Sequence, residues 1–250
     1  MKYYVVLLVG LLLLPAPSVL AEDAISPMEL SQRMDLLYRA KTSKGRMVMK
    51  VMTPNYSRTL KMSVTSRGQE DTLIRIKSPR KERGISTLKK GNEMWNYLPK
   101  IRKTIRIPPS MMMGSWMGSD FTNDDLVKQS SWENDYTVSW AKDVKRDGET
   151  CVRSVPKPGA VVNWSQVVSC FDLAKTLPTV MTFYDEKKRK VRSITYSDIK
   201  VLGGRTVPTK MTLKPLLKEG HETVIIYEDM AFDVELPETT FTLTNLRRGR

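Results

Sequence analysis

Hydrophobic periodicity constrains this chain more than any other feature. From Met47 onward apolar and polar residues alternate one for one: Met47, Met49 and Val51, then Leu60, Met62 and Val64 with Thr59, Lys61, Ser63 and Thr65 between them. Successive side chains of a strand point to opposite faces, so this spacing predicts paired strands with one buried face, turning near Pro54-Asn55. Further strands are expected at Leu73 to Ile76, Met94 to Leu98, Ile101 to Ile107, Tyr136 to Trp140, Val180 to Tyr184, Val191 to Ile199, Val207 to Leu213 and Thr223 to Glu228. Turn signals at Asp147-Gly148, Pro158-Gly159, Asp185-Glu186 and Gly203-Gly204 separate many of them. The pattern is a long antiparallel meander.

The helical period occurs only ahead of this meander and in its middle. Ser26-Pro27-Met28-Glu29 combines an N-cap serine, a first-turn proline and an acid placed for a capping box. Leu30, Met34, Leu37 and Tyr38 then mark one apolar stripe. A second, short helix is expected after Thr122, where Asn123, Asp124 and Asp125 crowd a helix start and Leu126 and Val127 follow. With no repeat or dividing linker, residues 22–250 read as one α+β domain. So many short strands must close, curl or split to protect their edges, and a partly open barrel around an apolar interior satisfies that demand.

The N-terminus sets the compartment. Lys2 precedes an apolar run from Val5 to Leu14, then Pro15, Pro17 and Val19-Leu20-Ala21, the layout of a secretory signal spanning residues 1–21 and cleaved after Ala21. The run is about half the roughly 20 residues a spanning helix needs; an uncleaved anchor is the alternative. No Cys stands near the cleavage site to carry a lipid anchor, so a soluble periplasmic product is expected. The chain carries 41 Lys and Arg against 27 Asp and Glu, a formal charge of +14. Export removes nucleic acid as the counter-charge and leaves anionic head groups or an acidic protein.

The two cysteines fit that compartment. Cys151 and Cys170 lie equally far from a hairpin centred on Gly159-Ala160-Val161, which sets them opposite one another at a separation a disulfide can bridge. The alternative is two buried thiols. Catalytic signals are sparse: the single histidine, His221, sits between Gly220 and Glu222, and H-E-x-x-H, C-x-x-C, G-x-S-x-G and P-loop patterns are absent. Asp124-Asp125 reads more simply as a capping pair than as catalytic carboxylates. The sequons Asn55-Tyr56-Ser57 and Asn163-Trp164-Ser165 matter only in a eukaryotic host. No metal or cofactor is expected.

Two neighbouring segments carry the functional signal. Met111-Met112-Met113-Gly114-Ser115-Trp116-Met117-Gly118-Ser119-Asp120-Phe121 is an adaptable apolar loop whose thioethers suit an acyl chain. It reads equally as a plug for the open end of the sheet. Ahead of it, Arg75, Lys77, Arg80, Lys81, Arg83, Lys89, Lys90, Lys100, Arg102, Lys103 and Arg106 are opposed only by Glu82 and Glu93, and Arg247, Arg248 and Arg250 add to them in the tail. Strand alternation sends Lys100, Arg102 and Thr104 to water and Ile101, Ile105 and Ile107 inward. This basic block is either a solvated face or a dock, through Lys100, Arg102, Lys103 and Arg106, for an anionic membrane or acidic partner.

Several short motifs occur in a telling order: Met94-Trp95-Asn96-Tyr97-Leu98-Pro99, Gly118-Ser119-Asp120-Phe121, Asp124-Asp125-Leu126, Tyr196-Ser197-Asp198, Tyr227-Glu228-Asp229, then Leu236-Pro237 with Phe241. Over nearly all of the mature chain this succession resembles the outer-membrane lipoprotein-sorting protein family, the LolA-like periplasmic proteins often found beside exporters of the resistance-nodulation-division (RND) type. The resemblance implies an unclosed antiparallel β-barrel with helices capping an apolar cavity, and a lipid or acylated protein as ligand rather than a substrate. Trp95, Tyr97, Met111, Met112, Met113, Trp116, Met117 and Phe121 are then expected to line or gate the cavity, with an inner-membrane exporter as a possible source of its cargo. A periplasmic sensor or regulator that binds a protein partner is the second reading of the same fold, and an enzyme acting on lipid or cell-wall material the third.

Overall fold

In the computed structural model, which describes residues 25–127, 132–160 and 162–248, thirteen antiparallel strands form one continuous sheet. Numbered in chain order they are β1 Thr42–Met52, β2 Ser57–Arg67, β3 Asp71–Ser78, β4 Ser86–Lys90, β5 Glu93–Leu98, β6 Lys103–Arg106, β7 Tyr136–Trp140, β8 Glu149–Pro156, β9 Gln166–Asp172, β10 Pro178–Tyr184, β11 Lys190–Leu202, β12 Arg205–Pro215 and β13 Glu222–Phe232. Four helices accompany them: α1 Pro27–Leu36, α2 Asn123–Val127, α3 Trp132–Asp135 and α4 Leu243–Arg247. The expected signal segment, Val161 of the hairpin turn and Arg250 lie outside the described residues.

The sheet is two meanders zipped along one seam. Strands β1 to β6 run outward one way, β7 to β13 return from the other, and β13 pairs with β1. Gly45 sits on this seam opposite Met230, and a Cβ there would lie 2.4 Å from the Asp229 carbonyl oxygen, so only glycine lets the two backbones meet. The terminal strands are β6 and β7, which do not pair, so the barrel stays open. These two strands are consecutive in the chain. The segment between them, carrying α2, α3 and two 3-10 turns at Pro109–Met111 and Trp116–Gly118, therefore runs from one edge of the sheet to the other.

Helix α1 forms as its cap signals require: the Ser26 hydroxyl accepts from the Glu29 N–H, and Leu30 and Met34 are buried. It packs against α3 and β7, beside the open edge. Alternation then sorts the strands into two faces. Met47, Met49, Leu60, Met62, Ile74, Phe183, Ile194 and Ile225 enter the main inner core. On the outer face Leu73 and Leu88 pack with Phe241 and Leu246 of the C-terminal segment, while Ala141 and Val168 surround the two cysteines.

Three expectations need correction. The β6 strand begins at Lys103, because Ile101 and Arg102 belong to the turn and Arg102 has a positive φ of 52°. The alternation predicted from Ile101 therefore fails: Ile101 and Ile105 are exposed and only Ile107 is buried. Strand β4, Ser86–Lys90, was not foreseen, since Ser86-Thr87-Leu88-Lys89-Lys90 carries almost no apolar signal, yet its first four residues are all buried.

Cys151 and Cys170 are directly paired on β8 and β9 and form a disulfide, with Cα atoms 4.0 Å apart across a separation of 19 residues. Closing a loop of that size restricts the unfolded chain by about 3 kcal/mol. Replacing both cysteines with alanine should lower the melting temperature by about 6–12 °C. Thermal unfolding by circular dichroism measures it, and an unshifted transition would show that the bridge adds no stability.

Candidate functional site

The inner face of the sheet and the crossing segment enclose a cavity of about 330 Å³, the size of a small-molecule site. Its apolar wall comes from alternate residues of many strands: Met47 of β1, Val64 of β2, Ile74 of β3, Met181 and Phe183 of β10, Ile194 of β11, Met211 of β12 and Ile225 of β13. The crossing segment contributes Trp116, Phe121, Leu126 and Trp132.

Polar pins fasten that segment over the cavity. The Trp116 indole N–H donates to the Thr87 hydroxyl at 3.2 Å, and Thr87 in turn donates to the Asn96 side chain at 2.7 Å. Asp120 is tied to β13 twice: its N–H donates to the Thr223 hydroxyl at 3.0 Å, and that hydroxyl donates to its carboxylate at 2.7 Å. The imidazole of His221 lies 3.4 Å from the other oxygen of Asp120. Tyr56 donates to the Gly118 carbonyl at 3.2 Å, and Arg58 donates to the Met117 carbonyl. At the start of α2, Thr122 and Asp125 cap one another reciprocally.

Asp125 also receives a bidentate pair from Arg192 at 2.8 and 2.6 Å. Arg192 projects from β11 against the rings of Trp164 and Phe183, which pack edge-on with each other, its guanidinium 4.4 and 4.1 Å from their centroids. The arginine side chain is 7% exposed, so the pair is largely shielded from water, and loss of either partner would strand a charge.

A second polar cluster lies on the wall formed by α1 and the seam. Tyr38 stacks on Tyr227 at 4.5 Å and donates to the Pro208 carbonyl at 2.6 Å. Burial, reinforced by Tyr227 and Tyr196, pushes the Tyr38 phenol far up. Burial and the nearby Asp35 carboxylate push Tyr196 up, and burial raises Tyr227 to about 12. Asp35 rises to about 6 because burial outweighs the opposing influence of the Trp132 indole N–H and the Arg39 charge. That indole N–H approaches Asp35 but, among the described residues, meets hydrogen-bond geometry with no acceptor. Behind the wall, Lys89 is 2% exposed, and burial together with Arg39 lowers its ammonium to about 8. Among the described residues no three His, Cys, Asp or Glu side chains converge to hold a metal ion.

The residues expected to line the cavity divide into three sets. Trp116 and Phe121 do so, and Met112 and Met117 pack against its core. Met111 and Met113 are instead exposed, at 55% and 49%. Trp95 and Tyr97 are displaced to the outer face, where they pack on the cluster of Leu73, Leu88 and Phe241. The cause is alternation along β5: Met94 points into the inner core, so its neighbour Trp95 must point away. Lys100, Arg102 and Lys103 are exposed at the β5–β6 hairpin, and Arg106 is exposed but paired with Glu93. Asp35, Arg39 and Arg192 were not anticipated at the site. Arg192 was detectable, as a charged residue in register with Ile194 and Tyr196 on the inward side of a strand.

Comparisons with known proteins agree with this geometry. A family model described as "uncharacterized protein" matches residues 68–248. A DUF1329 family protein from Desulfovibrio piger superposes with a TM-score of 0.76 at 25% identity, covering 89% of this chain and 100% of that one. A structure described as an outer membrane lipoprotein-sorting protein domain, from Vibrio parahaemolyticus, gives 0.75 at 23% identity over 89% and 98% of the two chains. A LolA superfamily protein from Nitrosomonas europaea gives 0.72 at 20% identity over 89% and 100%. Comparison with curated proteins yielded no match.

The raised pKa of Asp35 makes stability depend on pH with a definite sign. Between 3.8 and about 6 the folded protein keeps a proton that the unfolded chain has released. Stability from this group is complete below pH 3.8 and is lost as pH rises through 6, a fall of about 3 kcal/mol. Urea unfolding at pH 4 and pH 7 should show that fall in the native protein and not in Asp35→Asn. Parallel profiles for the two proteins would rule out burial of this carboxyl.

Proposed function

We propose that the protein, which belongs to the family matched over residues 68–248 and has the LolA-superfamily fold, is a periplasmic carrier that shields a lipid or the acyl chain of a lipoprotein. The observation that carries this reading is the apolar cavity of about 330 Å³ between the inner face of an unclosed sheet and a segment pinned across its open edge. An acyl chain there exchanges water for Met, Ile, Phe and Trp side chains, at about 0.8 kcal/mol per methylene removed from water. The thioethers let one pocket accept chains of different shape. The likeness to a protein described as lipoprotein-sorting supports the same ligand class. On this reading cargo is exchanged by docking at a membrane or at an exporter of the RND type.

Purification without detergent followed by organic extraction and mass spectrometry should release an acyl lipid in stoichiometric amount. Phe121→Asp, which puts a charge into the cavity wall, should abolish its retention. Protein that carries no lipid and also fails to bind a fluorescent fatty acid would refute the carrier reading.

Docking is assigned to the β5–β6 hairpin, where Lys100, Arg102 and Lys103 are exposed with Ile101 at the tip between them. Each cation near an anionic surface contributes about 1 kcal/mol, screened by salt. Binding to vesicles containing phosphatidylglycerol should weaken steeply with added salt and drop on neutralising Lys100, Arg102, Lys103 and Arg106 together. Unchanged sedimentation of that variant with vesicles would reduce the basic block to a solvated face.

A further inference from the structure

We propose that the cavity contains a polar subsite, formed by the Asp35 carboxylate and the Trp132 indole N–H, that seats the hydroxyl of a long-chain alcohol or a hydroxylated acyl chain. The proposal rests on the carrier reading and names the group that such a ligand carries. Asp35 on α1 and Trp132 at the start of α3 face each other on packed helices, and both line the cavity. Trp132 is only 6% exposed, and its N–H lies close enough to Asp35 to favour the carboxylate, yet among the described residues it meets hydrogen-bond geometry with no acceptor. Buried donors are almost always satisfied, so one left open beside a cavity calls for an acceptor from the ligand.

The surroundings select which acceptor. A ligand carboxylate would accept from Trp132 but place a second negative charge against Asp35. An alkylammonium would pair with Asp35 but has no lone pair for Trp132, and Arg39 opposes its charge. A hydroxyl satisfies both groups at once, accepting from the indole and donating to the carboxylate. The nearby phenol of Tyr38 is already engaged with the Pro208 carbonyl, and the guanidinium of Arg192 with Asp125, so neither competes for this position. The apolar remainder of the ligand then extends along Ile194, Ile225 and Met47.

The test is displacement of a fluorescent fatty-chain probe by dodecanol, dodecanoate and dodecylamine at pH 7.5. Dodecanol should displace at about tenfold lower concentration than either charged analogue, as expected for a hydrogen bond to a charged group. Trp132→Phe keeps the ring and removes only the donor. It should weaken dodecanol about tenfold and leave the other two unchanged, and Asp35→Leu should erase the preference for the alcohol. Equal displacement by all three, or a dodecanol affinity indifferent to Trp132→Phe, would overturn the subsite while leaving the carrier reading intact. Failure of the probe itself to bind would overturn both.

Discussion

The pairing of β1 with β13 organises the rest of the molecule. It joins residues 170 to 189 positions apart, from Met52 with Glu222 to Ser43 with Phe232, and turns two local meanders into one sheet. Such a contact forms only after a large loss of chain entropy, so it needs local geometry that favours it. Gly45 supplies the close approach, and the Asp229 carboxylate accepts from the Arg46 N–H where the register shifts. Once the seam is made, β6 and β7 are sent to opposite edges although they are neighbours in sequence. The chain between them has to cross the opening. The cover of the cavity is thus a consequence of topology before it is a matter of side chains.

What side chains add is attachment at a few defined points. The covering segment contacts the sheet through a few apolar residues, chiefly Trp116 and Phe121, and through polar pins to β2, β4, β11 and β13. Met117 and Gly118 both have positive φ, and this turn presents their carbonyls to Arg58 and Tyr56. Apart from the shielded Arg192–Asp125 pair, individual hydrogen bonds of this kind are worth about 1 kcal/mol each, far less than the continuous ladder of the sheet.

The architecture was largely legible in the sequence because alternation is a local signal with a global consequence. Tyr136 to Trp140 was bounded to the residue, and Cys151 and Cys170 were placed in register by symmetry about one turn. Strand β4 was hidden because tertiary burial, not side-chain hydrophobicity, makes it a strand. The cavity was legible only in part. Trp116 and Phe121 announce themselves as large apolar residues in a loop, but Trp95 and Tyr97 are as conspicuous in a strand, and only the phase of β5 tells that they face outward. Asp35 was invisible for another reason: it lies beside the apolar stripe of α1, and its importance comes from Trp132, nearly a hundred residues away.

Charge is divided between the surface and the cavity in a way that separates two tasks. The chain as a whole carries a net charge of +14, yet the cavity wall holds three carboxylates, Asp35, Asp124 and Asp125, against two guanidinium groups, Arg39 and Arg192. One carboxylate is already matched to Arg192. The positive field therefore belongs to the exterior, where it acts over roughly a Debye length and does not distinguish one anionic component from another. Inside, burial penalises every added charge, which favours ligands that fit by shape and by hydrogen bonds from uncharged groups. Under the proposed carrier reading the two tasks fall to different parts of the molecule, attraction to an anionic surface to the exposed cations and choice of ligand to the cavity wall, so an anionic head group would attract the protein and still be excluded from its interior.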